Sequence, residues 1–282
     1  MIEGARRRSI EVGRGREAFT FSMSQSSHHS LPRSPGRSQL NSHNFDPREI
    51  RWVAFDAVGT LIHPAPSAGA VYHRIGLQHG SRLVAEEVAR RFRDVFARLA
   101  ESELDCGCSE AREPWHTCEL RERLRWRRIV GSVLDDVLTS NECFEELFAH
   151  FGQPHNWACF PEVGSALREL RRAGFRLAVC SNFDARLNAV IDGTPELAPI
   201  ELRVISSEVK YRKPSGRFFG ALTRAANCAA SQIFFVGDDP DNDVAAAEAA
   251  GLWARQIDRG DGPRRNQTLQ SLDELVARLV GR

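Results

Sequence analysis

Arg51-Trp52-Val53-Ala54-Phe55-Asp56-Ala57-Val58-Gly59-Thr60-Leu61 is the stretch whose reading decides the fold. Trp52 to Phe55 form a short apolar run with a β-branched and aromatic bias, the pattern of a buried parallel strand. The run ends on a carboxylate, Asp56, and Gly59 and Thr60 follow within four residues. Open α/β sheets bind ligands beyond the C-terminal tips of their strands, so a carboxylate at that place is a candidate for chemistry. Gly59 permits a sharp turn, and Thr60 brings a hydroxyl and a backbone N–H to the same spot. An aspartate that only caps the next helix looks the same locally. The remaining strand ends decide between the two readings.

With 282 residues, 42% of them hydrophobic, the chain can bury a sizeable core as one or two domains. Its net charge of +1 supplies no overall field for nucleic acid or an anionic membrane surface. No stretch approaches the run of about 20 apolar residues that a membrane span needs. The seven cysteines are an odd number, scattered through apparent core and helical segments. With no secretory signal before them, they read as reduced thiols of a cytoplasmic protein. Nearly every basic residue is arginine, and the only two lysines, Lys210 and Lys213, lie within four positions of each other.

Residues 1–47 are rich in Arg, Ser, His, Gly and Pro without sustained apolar periodicity, and read as a disordered extension. Met23 is an alternative start, and an Arg-rich presequence is a sharper reading of the same stretch. After the opening strand, Pro64 and Pro66 break the chain and helical patterning takes over. Helices are expected over 70–79, 83–101 and 116–138, with a fourth capped by Ser140 or Asn141 and stopped near Gly152. No strand is expected within this block, which reads as a helical bundle inserted into another domain. From Pro161 helix and strand alternate. Strands are expected over 175–180, 202–205, 233–236 and 253–257, and helices over 162–173, 184–191, 215–226, 241–250 and from Ser271 to Leu279. This βαβα alternation implies a parallel sheet with helices on both faces, and right-handed crossovers gather the strand tips on one edge. The organisation is therefore a core over 48–67 and 160–282 and a helical cap over 68–159.

Four tips then carry polar chemistry: Asp56 with Thr60, Ser181 with Asn182, the loop of Lys213, and Asp238 with Asp239 and Asp243. Carboxylates gathered on one edge repel one another unless a cation neutralises them. Oxygen ligands without His or Cys suit a hard ion such as Mg²⁺. A lysine in that cluster can tether an anionic substrate and keep a carboxylate ionised.

These residues resemble the haloacid dehalogenase (HAD) superfamily, with all four motifs in order: FDAVGTL, VCSN, the Lys213-Pro214 pair in SSEVKYRKP, and VGDDPDNDVAAAEAAG. Together they span residues 51–258, and the inserted bundle fits that superfamily's type 1 cap. The resemblance implies a Rossmann-like core and aspartyl-enzyme chemistry. Asp56 attacks phosphorus and forms an acyl-phosphate that water hydrolyses. Mg²⁺ is held by Asp56, the backbone carbonyl of Val58, Asp238 and Asp243, with Asp239 in support. Thr60, Ser181 and Asn182 bind the phosphoryl group, and Lys213 stabilises the charge that develops in transfer. The expected partner is a phosphorylated small molecule, and the chain is expected to be a monomer or homodimer.

One position departs from the phosphatase pattern. Two residues after the nucleophile those enzymes carry a second aspartate, the acid that protonates the leaving oxygen and the base that activates water. Here it is Val58. Loss of such a group costs about 10² to 10⁴ in rate. His63 is a conceivable substitute, although an exposed loop histidine is the plainer reading. Haloacid dehalogenases also lack that aspartate, because halide leaves without a proton, but they work without Mg²⁺ and lack the fourth-motif carboxylates. Phosphonate-cleaving relatives need a cap lysine, and this cap has none. A catalytically impaired phosphate-binding scaffold is the non-enzymatic alternative. In the cap, Cys106, Cys108, His116 and Cys118 are of zinc-ligand type at irregular spacing, which loop cysteines explain as well. The basic run Arg121–Arg128, flanked by Glu119 and Glu122, reads as a solvated helix face.

Overall fold

The computed structural model describes residues 45–100, 113–260 and 268–281. The expected first strand, β1 (Trp52–Phe55), is fully buried and lies at the centre of a five-stranded sheet. A second strand, β2 (Ile62–Pro64), leads out of the turn into α1 (Ala68–Gln78), α2 (Ala85–Ala100), α3 (Glu119–Val133) and α4 (Ser140–His150). The chain returns through β3 (Trp157–Cys159) to α5 (Val163–Arg172), β4 (Arg176–Ser181), α6 (Arg186–Asp192) and β5 (Leu202–Ile205). Two helices follow, α7 (Ser206–Val209) and α8 (Gly216–Ala226), then β6 (Ile233–Gly237), α9 (Ala246–Ala249), β7 (Trp253–Gln256) and α10 (Leu272–Val280).

The sheet order is β5-β4-β1-β6-β7, and every pair described in it is parallel. Because side chains alternate along a strand, the sheet buries two separate apolar layers. Val53 and Phe55 of β1 face α5, α6 and α10 through Leu167, Leu170, Val190 and Leu275. Trp52 and Ala54 face α8 and α9 through Phe218, Phe219, Leu222 and Ala247. A strand covered on both faces must be apolar throughout, which is why residues 52–55 carry no polar side chain. The parallel direction brings the ends of β1, β4, β5 and β6 to one edge, as expected.

Helices α1 to α4 bury a third cluster of their own, with Val71, Tyr72, Phe92, Ile129, Val133, Phe144 and Leu147 at its centre. The chain enters and leaves this bundle through the antiparallel ribbon of β2 and β3, in which His63 pairs with Ala158. The helical block is thus not free of strand: β3 forms because Trp157–Cys159 is the returning arm opposite β2. The fourth helix starts from Thr139 as its cap, one residue before the expected Ser140.

Three further expectations are corrected. Phe45 packs edge-on against Phe234 and Trp253, and Asp46 accepts the Arg48 N–H to cap a short 3₁₀ turn over Pro47–Glu49. Among the described residues, ordered packing therefore already includes Phe45, two residues before the boundary drawn at residue 47. Arg121, Glu122 and Arg125 are buried, so the basic run of α3 is not a wholly solvated face. Beyond β6 the backbone opens into a single π-helical turn, Pro240–Ala245, before α9, where one α-helix was expected. Such turns insert an extra residue per turn and are frequent at functional sites. The rest of the first 47 residues, with Met23 and the presequence reading, lies outside the described residues, as do Cys106 and Cys108.

Candidate active site

Asp56 follows β1 directly, and its N–H donates to the Val236 carbonyl at 2.8 Å, so the sheet ladder itself sets its backbone. The turn after it is tight. Leu61 and Ile62 N–H groups both donate to the Ala57 carbonyl, at 2.8 and 2.9 Å, and Gly59 N–H donates to Ile62 at 2.8 Å. Gly59 adopts φ +88°, a left-handed conformation that other residues enter at a cost of about 1–2 kcal/mol.

Lys213 reaches the same place from the loop beyond β5. Its Nζ donates to Asp56 Oδ1 at 2.7 Å and to Asp243 Oδ1 at 2.5 Å. All three side chains are buried, Lys213 at 3% exposure and Asp243 at 1%. Burial by itself would lower the lysine's pKa, but the Asp243 and Asp56 carboxylates outweigh it and push it up, so the ammonium is retained. Asn182, at the tip of β4, fixes the lysine backbone from both sides. Its Oδ1 accepts the Lys213 N–H at 2.8 Å, and its Nδ2 donates to the Lys213 carbonyl at 3.0 Å. The carboxamide expected to bind a phosphoryl group thus also engages the lysine backbone. Ser181 ends β4 as a buried side chain, and the Thr60 hydroxyl is buried without a hydrogen-bond partner.

Asp56, Asp238 and Asp243 each offer a carboxylate oxygen, and these atoms lie within 4.8 Å of one another. One lysine cannot neutralise three such charges. Burial, then the charges of Asp56 and Asp243, push the Asp238 carboxyl well above the usual carboxylate range. Burial also pushes Asp243 up, to about 7, against the pull of Lys213. An oxygen-only donor set with excess negative charge fits a small hard divalent cation. Among the described residues no other group of three or more His, Cys, Asp or Glu side chains is placed to hold a metal. Asp239 is committed elsewhere: it caps the π turn by accepting the Asp241 and Asn242 N–H groups, both at 2.9 Å.

Val58 is half-buried and packs against the apolar layer under α5. His63 lies on the β2–β3 ribbon, half-buried rather than exposed, its ring 4.9 Å from that of Phe160 and its Nδ1 3.2 Å from the Pro64 carbonyl. Of the zinc-type residues, His116 is buried edge-on to Tyr211, and Cys118, which forms no disulfide, precedes α3 as a half-buried side chain. Lys210 is exposed in a left-handed conformation, away from the role of its neighbour.

Two sets of residues escaped sequence reasoning. The first joins the segment before α3 to the lysine loop: Thr117 N–H donates to Lys210 O, and Arg212 N–H to Trp115 O, each at 3.0 Å. The second is Arg259, which donates to Glu162 and to the Thr60 carbonyl, both at 2.7 Å. Neither has a local signature, because each depends on segments far apart in the chain.

The class of protein is given by the family that this chain matches, a family of hydrolases. Residues 50–251 match the family described as haloacid dehalogenase-like hydrolase, and the chain belongs to that family. The resemblance read from the four motifs is confirmed. The chain is similar to the haloacid dehalogenase-like hydrolase domain-containing protein 3 of Danio rerio, 28% identical over 238 residues that cover 82% of this chain and 96% of the relative. It is also similar to the phosphoserine phosphatase of Thermus thermophilus, 28% identical over 230 residues, 76% of this chain and 91% of that one. A HAD hydrolase of Bacillus subtilis solved with magnesium bound shares the fold at a TM-score of 0.65 and 12% identity, over 82% of this chain and 99% of the other.

Proposed function

We propose that this hydrolase is a Mg²⁺-dependent phosphatase that transfers a phosphoryl group from a small-molecule substrate to Asp56. The observation that carries the reading is the shared contact of Lys213 with Asp56 and Asp243, beside a third carboxylate, Asp238, with one oxygen of each of the three aspartates within 4.8 Å of the others. Asp56, Asp238, Asp243 and the backbone carbonyl of Val58 would hold the cation, which when bound supplies charge neutralisation at the phosphoryl oxygens. Asp56 acts as the nucleophile, and its carboxylate forms an aspartyl-phosphate that water cleaves. Lys213 stabilises charge on the phosphoryl group, with Asn182 holding it in place. Thr60 and Ser181 offer hydroxyls to the phosphoryl oxygens. The similarity to a phosphoserine phosphatase supports a phosphate ester as the substrate.

We take residues 48–67 and 160–282 as the catalytic core and 68–159 as the cap, a division that the separate apolar cluster of α1–α4 supports. Val58 leaves no acid two residues beyond the nucleophile, so the leaving group departs with little help. This favours substrates whose leaving oxygen is already a weak base. The same feature supports a second reading, a halide-releasing hydrolase, which needs no acid. The carboxylate cluster, which such a reaction does not use, weighs against it. A cytoplasmic location fits Cys118, Cys143, Cys159, Cys180 and Cys228, none of which forms a disulfide. No helix among the described residues is long and apolar enough to cross a membrane.

A panel of phosphate monoesters assayed with Mg²⁺ and with EDTA tests the proposal. Turnover that requires the metal and is lost in Asp56→Asn is the expected result. Folded protein that turns over none of them refutes it, and halide release from 2-haloacids in EDTA would establish the second reading instead.

A further inference from the structure

Arg259 lies two residues beyond the last sheet pairing, where Ile257 N–H donates to Gly237 O at 2.9 Å. Its guanidinium is largely buried, stacks 3.7 Å from the centre of the Phe160 ring, and divides its donors between two far-separated segments. Nη1 donates to Glu162 Oε1 and Nη2 to the Thr60 carbonyl, each at 2.7 Å. Glu162 Oε1 also accepts the Leu272 N–H, at 3.3 Å, so the anion that anchors Arg259 is itself fixed to the start of α10. Burial lowers the guanidinium's pKa, and the charges of Glu162 and Asp238 oppose that shift.

The Thr60–Leu61 peptide is therefore held at both ends. Its carbonyl accepts from Arg259, and its N–H donates to Ala57. Beside it, Gln256 Nε2 donates to the Asp238 carbonyl at 3.0 Å. Phe160 N–H donates to Leu61 O at 3.2 Å, which joins the returning arm of the cap ribbon to the same turn. The strand that ends on Gln256 thus steadies the Asp238 tip, and the residues just beyond it steady the Asp56 turn. A turn of six residues, Asp56–Leu61, needs contacts from outside itself to hold Asp56 and Thr60 within the tolerance of phosphoryl transfer.

We infer that Arg259 is a positioning residue, anchored by Glu162, that sets the Asp56–Leu61 turn relative to Asp238. The inference rests on the phosphatase reading for its catalytic consequence, but its structural content stands apart from it. It assigns no substrate contact to Arg259. Its effect is transmitted through the Thr60 peptide, and loss of such supporting contacts typically costs about 10–100-fold in activity or metal affinity.

The test compares the full chain with Arg259→Gln and Arg259→Lys, using amide hydrogen exchange, thermal melting and Mg²⁺-dependent hydrolysis of p-nitrophenyl phosphate. Exchange at the Gly59, Leu61 and Ile62 amides is expected to rise at least about tenfold in Arg259→Gln while the strand amides of 176–181 stay protected. Turnover is expected to fall about 10–100-fold, with partial recovery on adding millimolar guanidinium. If Arg259→Gln does not fold, Arg259→Lys, which keeps the charge but not the fork, is read by the same amides. Unchanged exchange in the turn, or uniform loosening of the whole core, overturns the inference. If the unaltered chain hydrolyses no phosphate ester, the functional reading fails, whereas the exchange comparison still decides the role of Arg259.

Discussion

Gly59 and Asp238 stand so close that a Cβ on the glycine would lie 2.4 Å from the Oδ2 atom of the aspartate. The turn after Asp56 and the carboxylate at the end of β6 can lie side by side only because residue 59 has no side chain. The same residue also adopts φ +88°. Gly59→Ala is therefore expected to displace Asp238 and to strain the turn. An ångström of misplacement can cost about 10²-fold in rate. Mg²⁺-dependent kcat/KM should drop by at least that factor. Near-normal activity in a folded Gly59→Ala protein would show that Asp238 tolerates the shift.

Val58 offers a gain rather than a loss. Placing a carboxyl there in Val58→Asp restores a group that can protonate a leaving oxygen and later activate water. For alkyl phosphates, whose leaving oxygen is strongly basic, kcat should rise by as much as about 10²-fold. For nitrophenyl phosphate, whose leaving group needs no proton, it should change little. Because Val58 packs against the apolar layer under α5, the variant is also expected to melt a few degrees lower. An equal effect on both esters would mean that proton transfer is not what Val58 leaves undone.

The carboxylate cluster makes metal-free stability depend on pH. Asp243 and Asp238 hold their protons more tightly in the folded chain than the ordinary value of about 3.9 for an unfolded aspartate. A raised folded pKa gives stability that is fully present below about pH 4 and is lost as pH rises through the folded value, about 7 for Asp243. In EDTA the melting temperature should therefore fall between pH 5.5 and 8, and Asp243→Asn should flatten that slope. Added Mg²⁺ competes with those protons, so its stabilising effect should grow over the same interval. A melting profile in EDTA that rises toward pH 8 would contradict this account.

Buried charge on α3 gives a stability prediction unconnected with catalysis. Arg125 is 8% exposed, burial lowers its pKa, and the Glu122 carboxylate 3.6 Å away is its counter-charge. Glu122 in turn accepts the Thr117 hydroxyl proton. Glu122→Ala leaves the guanidinium buried without compensation and is expected to cost about 3–5 kcal/mol, read from urea unfolding. Replacing both residues, Glu122→Leu with Arg125→Leu, should recover much of that loss. A single-variant cost below about 1 kcal/mol would mean that water reaches Arg125.

Sequence alone determined the features that repeat or end an element. The apolar run at 52–55, the alternation of helix and strand after Pro161, and the polar residue at each strand tip follow from local patterns, because a strand covered on both faces admits no polar side chain. Parallel connection then places Asp56, Lys213, Asp238 and Asp243 on one edge before any coordinate is known, and the motif order names the family. Tertiary structure decided what those residues do with one another. The commitment of Asn182 to the lysine backbone, of Asp239 to a cap, and of Val58 to the apolar layer could not be read from spacing, since each is a choice among partners that only folding brings within reach. Arg259 is the extreme case. Its partners, Thr60 and Glu162, lie 199 and 97 residues away, and an arginine after the last strand has no local pattern to announce it.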